Sequence, residues 1–261
     1  MQLSSANHAF ITGGASGIGL GIADALLKRG VRVTIADINA DALAKVLATR
    51  GDSLRGVLLD VRERQQWQEA KAKAEEVFGP VDVLVNNAGI APDGLELADS
   101  NPESFERIIS INFYGVYNGI VTFGAGIRAL GRGHIVNVAS MAGLSSERAT
   151  TGAYSASKYA VVSMSETLRV EMAPHGVGVS VMCPGLVMTN LPANTALVSG
   201  KEARGAMPGG LDAGVAGEMA VRGIERGSFY ILTSFDRNEP IRKRFEEQLA
   251  AFAAGMDEDL A

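Results

Sequence analysis

The sequence predicts a single α/β domain of the doubly wound type, with about seven parallel strands and helices on both faces of the sheet. Short, mostly apolar runs with many β-branched residues alternate with longer helical patterns along the chain, as expected for a parallel sheet covered on both faces. A glycine-rich turn follows the first run. No Pro/Ser-rich linker or charged run interrupts the alternation, so residues 1–261 are predicted to form one domain.

Seven strands are expected, each short enough for a strand and rich in β-branched or apolar residues. They are "HAFIT" (8–12), "VRVTIAD" (31–37), "LRGVLLDV" (54–61), "VDVLVNNAG" (81–89), "GHIVNVAS" (133–140), "GVGVSVMCPG" (176–185) and "SFYILT" (228–233).

Helical patterns fill the intervals between these strands. The first is closed by Gly30, the third ends at Gly79-Pro80, and Thr150 or Thr151 is expected to cap the helix that follows strand five. Helices are predicted at 18–30, 40–51, 62–79, 101–130 and 150–174, and a short one after strand six.

Two segments near the C-terminus each fit more than one role. Residues 189–217 are weakly patterned and rich in Ala, Gly, Asn and Thr, which is typical of a substrate lid or of a connecting loop. Residues 236–261 form a tail that reads as a helix of mixed charge, with apolar positions Ile241, Phe245, Leu249 and Phe252. This tail could cover the pocket, contact a second subunit or pack on the domain.

Composition and charge exclude several classes of function. The net charge is −5, so no basic surface for nucleic acid or anionic lipid is expected. The three His residues and the single Cys183 are scattered along the chain, so neither a metal site nor an internal disulfide is predicted. The N-terminus lacks the pattern of a signal peptide, and no run approaches about 18 apolar residues. We therefore expect a soluble, cytoplasmic protein that binds neither nucleic acid nor membrane.

The turn after the first strand is a candidate phosphate-binding site. In "TGGASGIG" (12–19), glycines would let the backbone approach a pyrophosphate at a helix N-terminus. Its spacing, Gly13-xxx-Gly17-x-Gly19, differs from the usual GxGxxG fingerprint, so the turn alone is a weak signal. Asp37 ends the second strand, where a carboxylate can bind ribose hydroxyls and repel a 2′-phosphate. This favours NAD over NADP, unless Asp37 merely caps the next helix.

Tyr154 and Lys158 in "YSASK" lie one turn apart on one face of a predicted helix. Such a pair is common by chance, so it indicates a site only together with other signals. Further polar motifs stand at strand ends, which meet at one edge of a parallel sheet. They are Asp60-Val61, "NNAG" (86–89), Ser140 and "PGLVMT" (184–189).

With these motifs the sequence resembles the classical short-chain dehydrogenases/reductases. The matching features occur in the family's order over roughly residues 7–233: "TGGASGIG", Asp60, "NNAG", Asn112, Ser140, "YSASK" and "PGLVMT". Each motif alone is modest, whereas the ordered set is highly specific. The resemblance implies a Rossmann-type fold, a nicotinamide cofactor, a small-molecule substrate, and a homodimer or homotetramer formed through the helices after strands four and five.

The resemblance also implies a role for each matching residue. Asn112, Ser140, Tyr154 and Lys158 would form a catalytic tetrad, in which Tyr154 and Lys158 also bind the nicotinamide ribose. The cofactor would be bound by Gly13, Ser16, Gly17, Ile18 and Gly19 at the pyrophosphate, Asp37 at the adenosine ribose, Asp60 and Val61 at the adenine, Asn87 and Gly89 along the cleft, and Pro184, Gly185, Val187 and Thr189 near the nicotinamide, the last two at its carboxamide.

These residue types suit hydride transfer at a carbinol carbon. The hydroxyl proton must leave with the hydride, so a positioned base is needed. A free phenol has a pKa of about 10, and a cation within about 4–6 Å lowers such a pKa by roughly one to three units. Lys158 is expected to supply most of the lowering that Tyr154 needs. Ser140 would hydrogen-bond the substrate oxygen, and Asn112 would hold a water that links Lys158 to solvent.

Each residue also has a structural alternative. Ser140 could cap the strand end, Asn112 could be satisfied by backbone groups, and Lys158 could be a solvated charge, so the residues indicate catalysis only jointly. Cys183 is expected to be a small buried apolar residue, and Trp67 to pack at the surface.

The expected substrate is a neutral, fairly apolar secondary alcohol or ketone. The segments after strands five and six offer no Lys/Arg pair that would clamp a phosphate, since Lys201 and Arg204 are expected in solvent. The expected lining residues are Met141, Leu144, Leu186, Met188, Leu191, Leu197 and Met207. Three rival hypotheses are an NADP-dependent ketone reductase, a catalytically silent NAD-binding sensor or scaffold, and an epimerase or dehydratase of the related extended architecture, which needs a longer C-terminal domain.

Overall fold

Seven strands form one sheet in a computed structural model that describes residues 6–200, 209–235 and 238–256. The strand order is β3-β2-β1-β4-β5-β6-β7, and every pairing is parallel. The predicted fold class is confirmed. The strands are β1 (His8–Thr12), β2 (Arg32–Asp37), β3 (Leu54–Leu58), β4 (Val83–Asn86), β5 (Gly133–Val138), β6 (Val177–Cys183) and β7 (Tyr230–Leu232).

Helices connect the strands and cover both faces of the sheet. They are α1 (Gly17–Leu27), α2 (Ala40–Leu47), α3 (Arg64–Phe78), α4 (Pro102–Ile109), α5 (Gly115–Ala129), α6 (Gly152–Met172), α7 (Leu191–Ser199), α8 (Ala213–Arg226) and α9 (Asn238–Met256). A π-helical turn, Ser110–Tyr114, joins α4 to α5. Across the described ranges, no helix combines the length and the apolar character needed to cross a membrane.

The strand register buries apolar side chains on both faces of the sheet. Ile11 of β1 pairs with Ile35 of β2 and Val85 of β4, and all three are fully buried. One apolar cluster joins the sheet to α1, α2 and α8, while residues of α3, α5 and α6 pack on the other face. Burial on both faces explains why these strands are nearly continuous apolar runs instead of alternating ones.

The connections leave a crevice at the carboxyl edge of the sheet. The chain passes from β1 to β2 on one side and later places β4 on the other side of β1. Ligands of open α/β sheets bind where the strand order reverses in this way. The residues that follow β1, β4 and β5 therefore face a common cleft.

The segment predicted as a substrate lid, residues 189–217, is helical at both ends, and its role as a lid stays a prediction. It contains the helix α7, and its last residues, from Ala213 onward, are the first turn of α8. Ala216 and Gly217 of that turn are buried against α1. The segment shows little apolar periodicity because it is rich in small residues. Those small residues allow α8 to pack closely on α1. Residues 201–208 lie outside the described residues.

The C-terminal tail forms a helix, and Trp67 lies in the core. The predicted tail helix is confirmed as α9, whereas residues 236–237 and 257–261 lie outside the described residues. The surface position expected for Trp67 is wrong, because its side chain is fully buried and its indole N–H donates to the Val61 carbonyl at 2.9 Å. The ring faces Phe10 and Phe123. One face of α3 therefore packs on the core, although the helix is polar overall.

Candidate active site

The turn after β1 presents bare backbone to the cleft. Gly13 and Gly17 have φ angles of 62° and 54°, a left-handed conformation that glycine adopts without steric cost. A Cβ on Gly13 would lie 2.9 Å from Asn87 Nδ2, and one on Gly17 would lie 3.1 Å from Thr189 Cβ. Ser16 is the N-cap of α1 but makes no side-chain cap hydrogen bond. No cap side chain therefore occupies the first N–H groups of α1, which fits an anionic group bound there.

Asn87 ties the end of β4 to this turn. Its Nδ2 donates to the carbonyls of Thr12 at 2.9 Å and Gly13 at 3.1 Å, and its backbone N–H donates to Thr12 Oγ1 at 3.0 Å. A Cβ on Gly19 would lie 2.3 Å from the Gly13 carbonyl oxygen. Gly19 thus permits α1 to approach the turn, and its role at the pyrophosphate stays a prediction.

Asp37 lies at the end of β2 and is 8% exposed. One of its carboxylate oxygens accepts from the Ala15 N–H at 3.1 Å, and the other accepts from the Asn39 N–H at 3.0 Å. The N-cap of α2 is Asn39, whose side chain accepts from Ala42 N, so Asp37 does not cap that helix. Each carboxylate oxygen keeps a further lone pair, and Asp37 lines the cleft.

Asp60 is engaged by Arg62, a cleft residue that the sequence analysis did not single out. Arg62 Nε donates to both carboxylate oxygens of Asp60, at 2.9 and 3.0 Å. Burial alone would raise the pKa of Asp60, but the hydrogen bonds from Arg62 outweigh it and lower the pKa. Its hydrogen bonds go to a residue two positions away, and it belongs to no periodic pattern, so no sequence signal marked it.

All but one of the predicted cofactor residues line this cleft together, the exception being Gly19. The predicted residues found there are Gly13, Ser16, Gly17, Ile18, Asp37, Asp60, Val61, Asn87, Gly89, Tyr154, Lys158, Pro184, Gly185, Val187 and Thr189.

Ser140, Tyr154 and Lys158 meet beside the end of β5. Lys158 is 4% exposed, its Nζ donates to the Val138 carbonyl at 3.0 Å, and Nζ lies 5.7 Å from the centroid of the Tyr154 ring. Ser140 accepts from Ala142 N at 3.1 Å and lies close enough to the Tyr154 phenol to lower its pKa. Ser140 therefore caps the turn after β5, and its hydrogen bond to the substrate oxygen stays a prediction. Lys158 is not a solvated charge.

The two titratable groups are shifted in opposite directions by burial. Burial raises the pKa of Tyr154, and the nearby Ser140 hydroxyl only partly opposes this. Burial lowers the pKa of Lys158 to about 8. The sequence analysis expected Lys158 to lower the pKa of Tyr154, but in the chain by itself desolvation of the phenolate dominates. The phenol is therefore protonated at rest, next to an ammonium group.

Asn112 lies in the π-helical turn and is fully buried. Its Oδ1 accepts from the Ile90 N–H at 2.8 Å, and its Nδ2 donates to the Ile90 carbonyl at 3.1 Å. A Cβ on Gly89 would lie 3.1 Å from Asn112 Oδ1 and 3.5 Å from Lys158 Nζ. Asn112 is thus satisfied by backbone and holds the loop after β4 against the lysine. The water relay stays a prediction.

The loop after β6 and α7 close the cleft from above. Gly185 N donates to Thr233 Oγ1 at 3.0 Å, and a Cβ there would collide with Ser234 Oγ. On α7, Asn194 Nδ2 donates to Ser16 Oγ at 3.3 Å, and Thr195 Oγ1 accepts from the Ala91 N–H at 2.9 Å. The helix therefore bridges the phosphate turn and the loop after β4, a contact between segments far apart in sequence.

A second cavity of about 580 Å³ adjoins the cofactor cleft. Of the predicted lining residues, Met141, Leu186, Met188 and Leu191 face it. Leu144 instead packs on an apolar cluster, and Leu197 is 56% exposed on α7. Met207, Lys201 and Arg204 lie outside the described residues. The sequence analysis missed the polar part of the wall, which includes Glu147 and Arg148.

Comparisons with known proteins agree with this geometry. A family model described as short chain dehydrogenase matches residues 7–197. C alpha-dehydrogenase of Sphingobium sp. strain SYK-6 is 33% identical over 257 residues, covering 91% of this chain and 84% of that protein. 3beta-hydroxysteroid dehydrogenase 2 of Eggerthella lenta is 37% identical over 187 residues, covering 70% and 72%. A short chain dehydrogenase/reductase from Burkholderia phymatum in complex with NAD has a TM-score of 0.87 at 32% identity, covering 96% and 97% of the two chains.

The family match extends over most of the chain, and the ordered motifs that resemble the family line one cleft at the carboxyl edge of the sheet. The cleft is built for a dinucleotide, with left-handed glycines at a helix N-terminus and a carboxylate at the end of β2. The chain belongs to the short-chain dehydrogenase family, oxidoreductases that act on CH–OH groups with a nicotinamide cofactor.

Proposed function

We propose that this chain is an NAD-dependent dehydrogenase or reductase that interconverts a bulky, neutral, fairly apolar secondary alcohol and its ketone, with Tyr154 as general acid/base. One observation carries the proposal: Ser140 and Tyr154 line both the cofactor cleft and the adjoining cavity. A carbinol in that cavity would meet the phenol and the hydroxyl at the point where the two spaces join. Among the described residues of the site, no other pair of hydrogen-bonding side chains combines a group that can carry a proton with a nearby cation. For Tyr154, that cation is Lys158.

Proton transfer is the part that the chain's own residues would perform. When bound, the nicotinamide ring supplies or accepts the hydride and, in its oxidised form, adds a positive charge near the phenol. In oxidation, the Tyr154 phenolate takes the hydroxyl proton, and in reduction the phenol returns it. Lys158, with a pKa of about 8, is mostly an ammonium at neutral pH and favours the phenolate. Ser140 holds the substrate oxygen by a hydrogen bond.

The preference for NAD rests on charge at the adenosine end of the cleft. Asp37 places a carboxylate where a 2′-phosphate would lie. Arg62 is the nearby cation in the described cleft, but its guanidinium is bound to Asp60. The three groups carry a net charge of −1, which opposes an added phosphate dianion. The NAD complex of the Burkholderia phymatum relative supports the same choice.

The substrate class rests on the size and lining of the cavity. About 580 Å³ is within the usual range for drug-sized ligands, and much of the wall is Met, Leu and Pro. Two relatives are named C alpha-dehydrogenase and 3beta-hydroxysteroid dehydrogenase 2, and the second name refers to a hydroxysteroid, which is a polycyclic alcohol. We infer an aromatic or polycyclic secondary alcohol, or the corresponding ketone.

The test is turnover with a matched mutant. Purified protein is mixed with NAD or NADP and a panel of aromatic and polycyclic secondary alcohols, and reduced nicotinamide is followed by absorbance. We expect NAD-dependent turnover that falls by about 100-fold or more in Tyr154→Phe, while NAD affinity changes little. Tight NAD binding without turnover of any alcohol or ketone would instead support the silent sensor. NADP-dependent turnover would support the rival reductase.

A further inference from the structure

The substrate cavity carries a charged pair on a wall that is otherwise largely apolar. Glu147 and Arg148, in the loop between β5 and α6, both line it. They are the only Asp, Glu, Lys or Arg side chains among the described residues of its wall, whose apolar part includes Met141, Leu186 and Met188. Both residues are exposed to solvent, so their charged groups stay hydrated at the edge of the cavity and can exchange water for a polar group of a ligand.

Neither side chain has a partner within the part of the chain that the structure describes. No hydrogen bond or ion pair joins the Glu147 carboxylate or the Arg148 guanidinium to a described residue. A neighbouring arginine behaves differently, because Arg244 of α9 donates to the Leu144 carbonyl at 3.2 Å and stacks on Tyr159. The two charged groups at the cavity are thus free to bind a ligand.

The loop that carries the pair is held in place. Thr151 Oγ1 donates to the Arg148 carbonyl at 2.7 Å, and Ser155 Oγ of α6 donates to Thr151 Oγ1 at 3.1 Å. Between them, Thr150 adopts a φ of 63°, which costs a residue with a Cβ about 1–2 kcal/mol. Such strain persists where the surroundings over-determine the backbone, and it is concentrated at ligand sites. The loop therefore presents its side chains from a fixed backbone.

The chemistry of the two side chains selects one kind of ligand group. Arg148 has only donors and Glu147 only acceptors, and their charges cancel. A carboxylate would be attracted by Arg148 but repelled by Glu147, and an ammonium group would meet the reverse. A ketone or ether oxygen accepts but cannot donate. A hydroxyl group can accept from Arg148 and donate to Glu147, so it satisfies both.

On the basis of the proposed function, we propose that Glu147 and Arg148 bind a second hydroxyl group of the substrate, phenolic or alcoholic, away from the carbinol that Tyr154 acts on. The substrate is then a bulky diol or hydroxyaryl carbinol, of which one hydroxyl reacts and the other positions the molecule. Hydrogen bonds to charged groups of this kind give a preference of about tenfold or more over an analogue that lacks the hydroxyl.

The experiment compares four biphenyl secondary alcohols that carry a hydroxyl, a methoxy group, a carboxylate or hydrogen on the distal ring. Values of kcat/KM with NAD are measured for the wild type, Glu147→Gln and Arg148→Gln. We expect the wild type to prefer the hydroxyl compound by about tenfold or more over the methoxy and hydrogen compounds, mainly through KM. Each variant should reduce that preference to about twofold.

Two exposed residues provide matched controls: Glu76→Gln on α3 and Arg226→Gln at the end of α8 should leave all four substrates unaffected. Equal turnover of the hydroxyl and hydrogen compounds by the wild type would overturn the subsite and leave the proposed function intact. A preference for the carboxylate that only Arg148→Gln abolishes would overturn the paired role of Glu147. No turnover of any of the four would count against the proposed function itself, and NAD binding measured alongside separates that outcome from misfolding.

Discussion

A single carboxylate, that of Asp37, is expected to exclude NADP. It lies at the end of β2 in the cleft and already accepts two backbone N–H groups. In Asp37→Ala, NAD loses acceptors for its ribose hydroxyls, while the 2′-phosphate of NADP loses a repelling charge. We expect the ratio of the Kd for NADP to the Kd for NAD to fall by about tenfold or more, as measured by fluorescence titration.

The control for this change lies on the following helix. Asp41 is an exposed acidic residue in the first turn of α2, so Asp41→Ala removes the same formal charge outside the cleft. Its Kd ratio should equal that of the wild type. An unchanged ratio in Asp37→Ala would mean that another feature of the cleft distinguishes the two cofactors.

Lys158 is expected to set the pH at which Tyr154 can act as a base. Burial raises the pKa of the phenol, and the Lys158 ammonium group lies 5.7 Å from the ring centroid, where a cation is expected to favour the phenolate. Oxidation uses the phenolate, so kcat/KM for the alcohol should rise with pH, and reduction should show the opposite trend. Replacement by Lys158→Met removes the cation, and the midpoint of the oxidative profile should move up by about one to three pH units.

The conservative variant separates charge from packing. Lys158→Arg keeps a cation that does not deprotonate in this pH range, so its midpoint should stay closer to that of the wild type. Because burial lowers the pKa of Lys158 to about 8, the wild-type cation is itself lost at higher pH, which should flatten the profile there. Superimposable pH profiles for the wild type and Lys158→Met would contradict the electrostatic role of the lysine.

At the level of elements, the pairing of α1 with α8 depends on glycines that face each other. A Cβ on Gly217 would lie 2.2 Å from the backbone carbon of Gly21, and one on Gly21 would lie 2.3 Å from the Ala213 carbonyl oxygen. Gly217→Ala must push the helices apart, which costs about 1–3 kcal/mol for overpacking. Urea unfolding should show that loss of stability as a lower midpoint.

The same substitution has the opposite sign where space is open. Gly126 lies near the end of α5, and a Cβ there would meet no atom within 4 Å. Gly126→Ala should raise the free energy of unfolding by about 0.5–1 kcal/mol, because alanine has less backbone freedom to lose in a helix. If Gly217→Ala were as stable as the wild type, the helix pair would have to be loosely packed.

For the molecule as a whole, the sequence predicted what depends on periodicity and on strand ends. The seven strands followed from apolar runs, and the cleft followed because parallel strands end at one edge. Tyr154 and Lys158 were found because one helical turn separates them. Contacts made across the fold had no such signal. The hydrogen bond from Asn194 on α7 to Ser16 joins residues that are 178 positions apart in the sequence, and no local pattern predicts it.

The degree to which a side chain is buried also could not be predicted from the sequence. The pKa of Tyr154 was expected to fall, yet desolvation raises it, because the result depends on how much water the surrounding elements exclude. The same holds for Trp67, whose helix is polar overall but turns the indole toward the core. The homodimer or homotetramer stays a prediction, since a single chain shows no contact with a second copy.

Buried histidine is expected to make the whole fold sensitive to acid. His134 of β5 is 1% exposed, and its Nε2 donates to Ser180 Oγ at 2.7 Å, because Ser180 gives its own proton to the Ser228 carbonyl. Burial lowers the pKa of His134 to about 3 from its ordinary value of 6.5. The unfolded chain therefore binds a proton below pH 6.5 that the folded chain does not, and stability falls with pH in the window from 6.5 towards 3 by about 1.4 kcal/mol per unit.

This slope is measured by urea unfolding at pH 7.5, 6.5 and 5.5, which are the pKa of the unfolded His and roughly one unit on either side of it. His134→Gln keeps an amide donor for Ser180 but cannot be protonated. The slope of its unfolding free energy against pH should therefore be smaller than that of the wild type, by about the contribution of one bound proton. His8, whose pKa burial also lowers, keeps part of the slope in that variant. His175 is exposed, and His175→Gln should reproduce the wild-type slope. Equal slopes for His134→Gln and the wild type would mean that His134 is protonated, or released to water, in the folded protein.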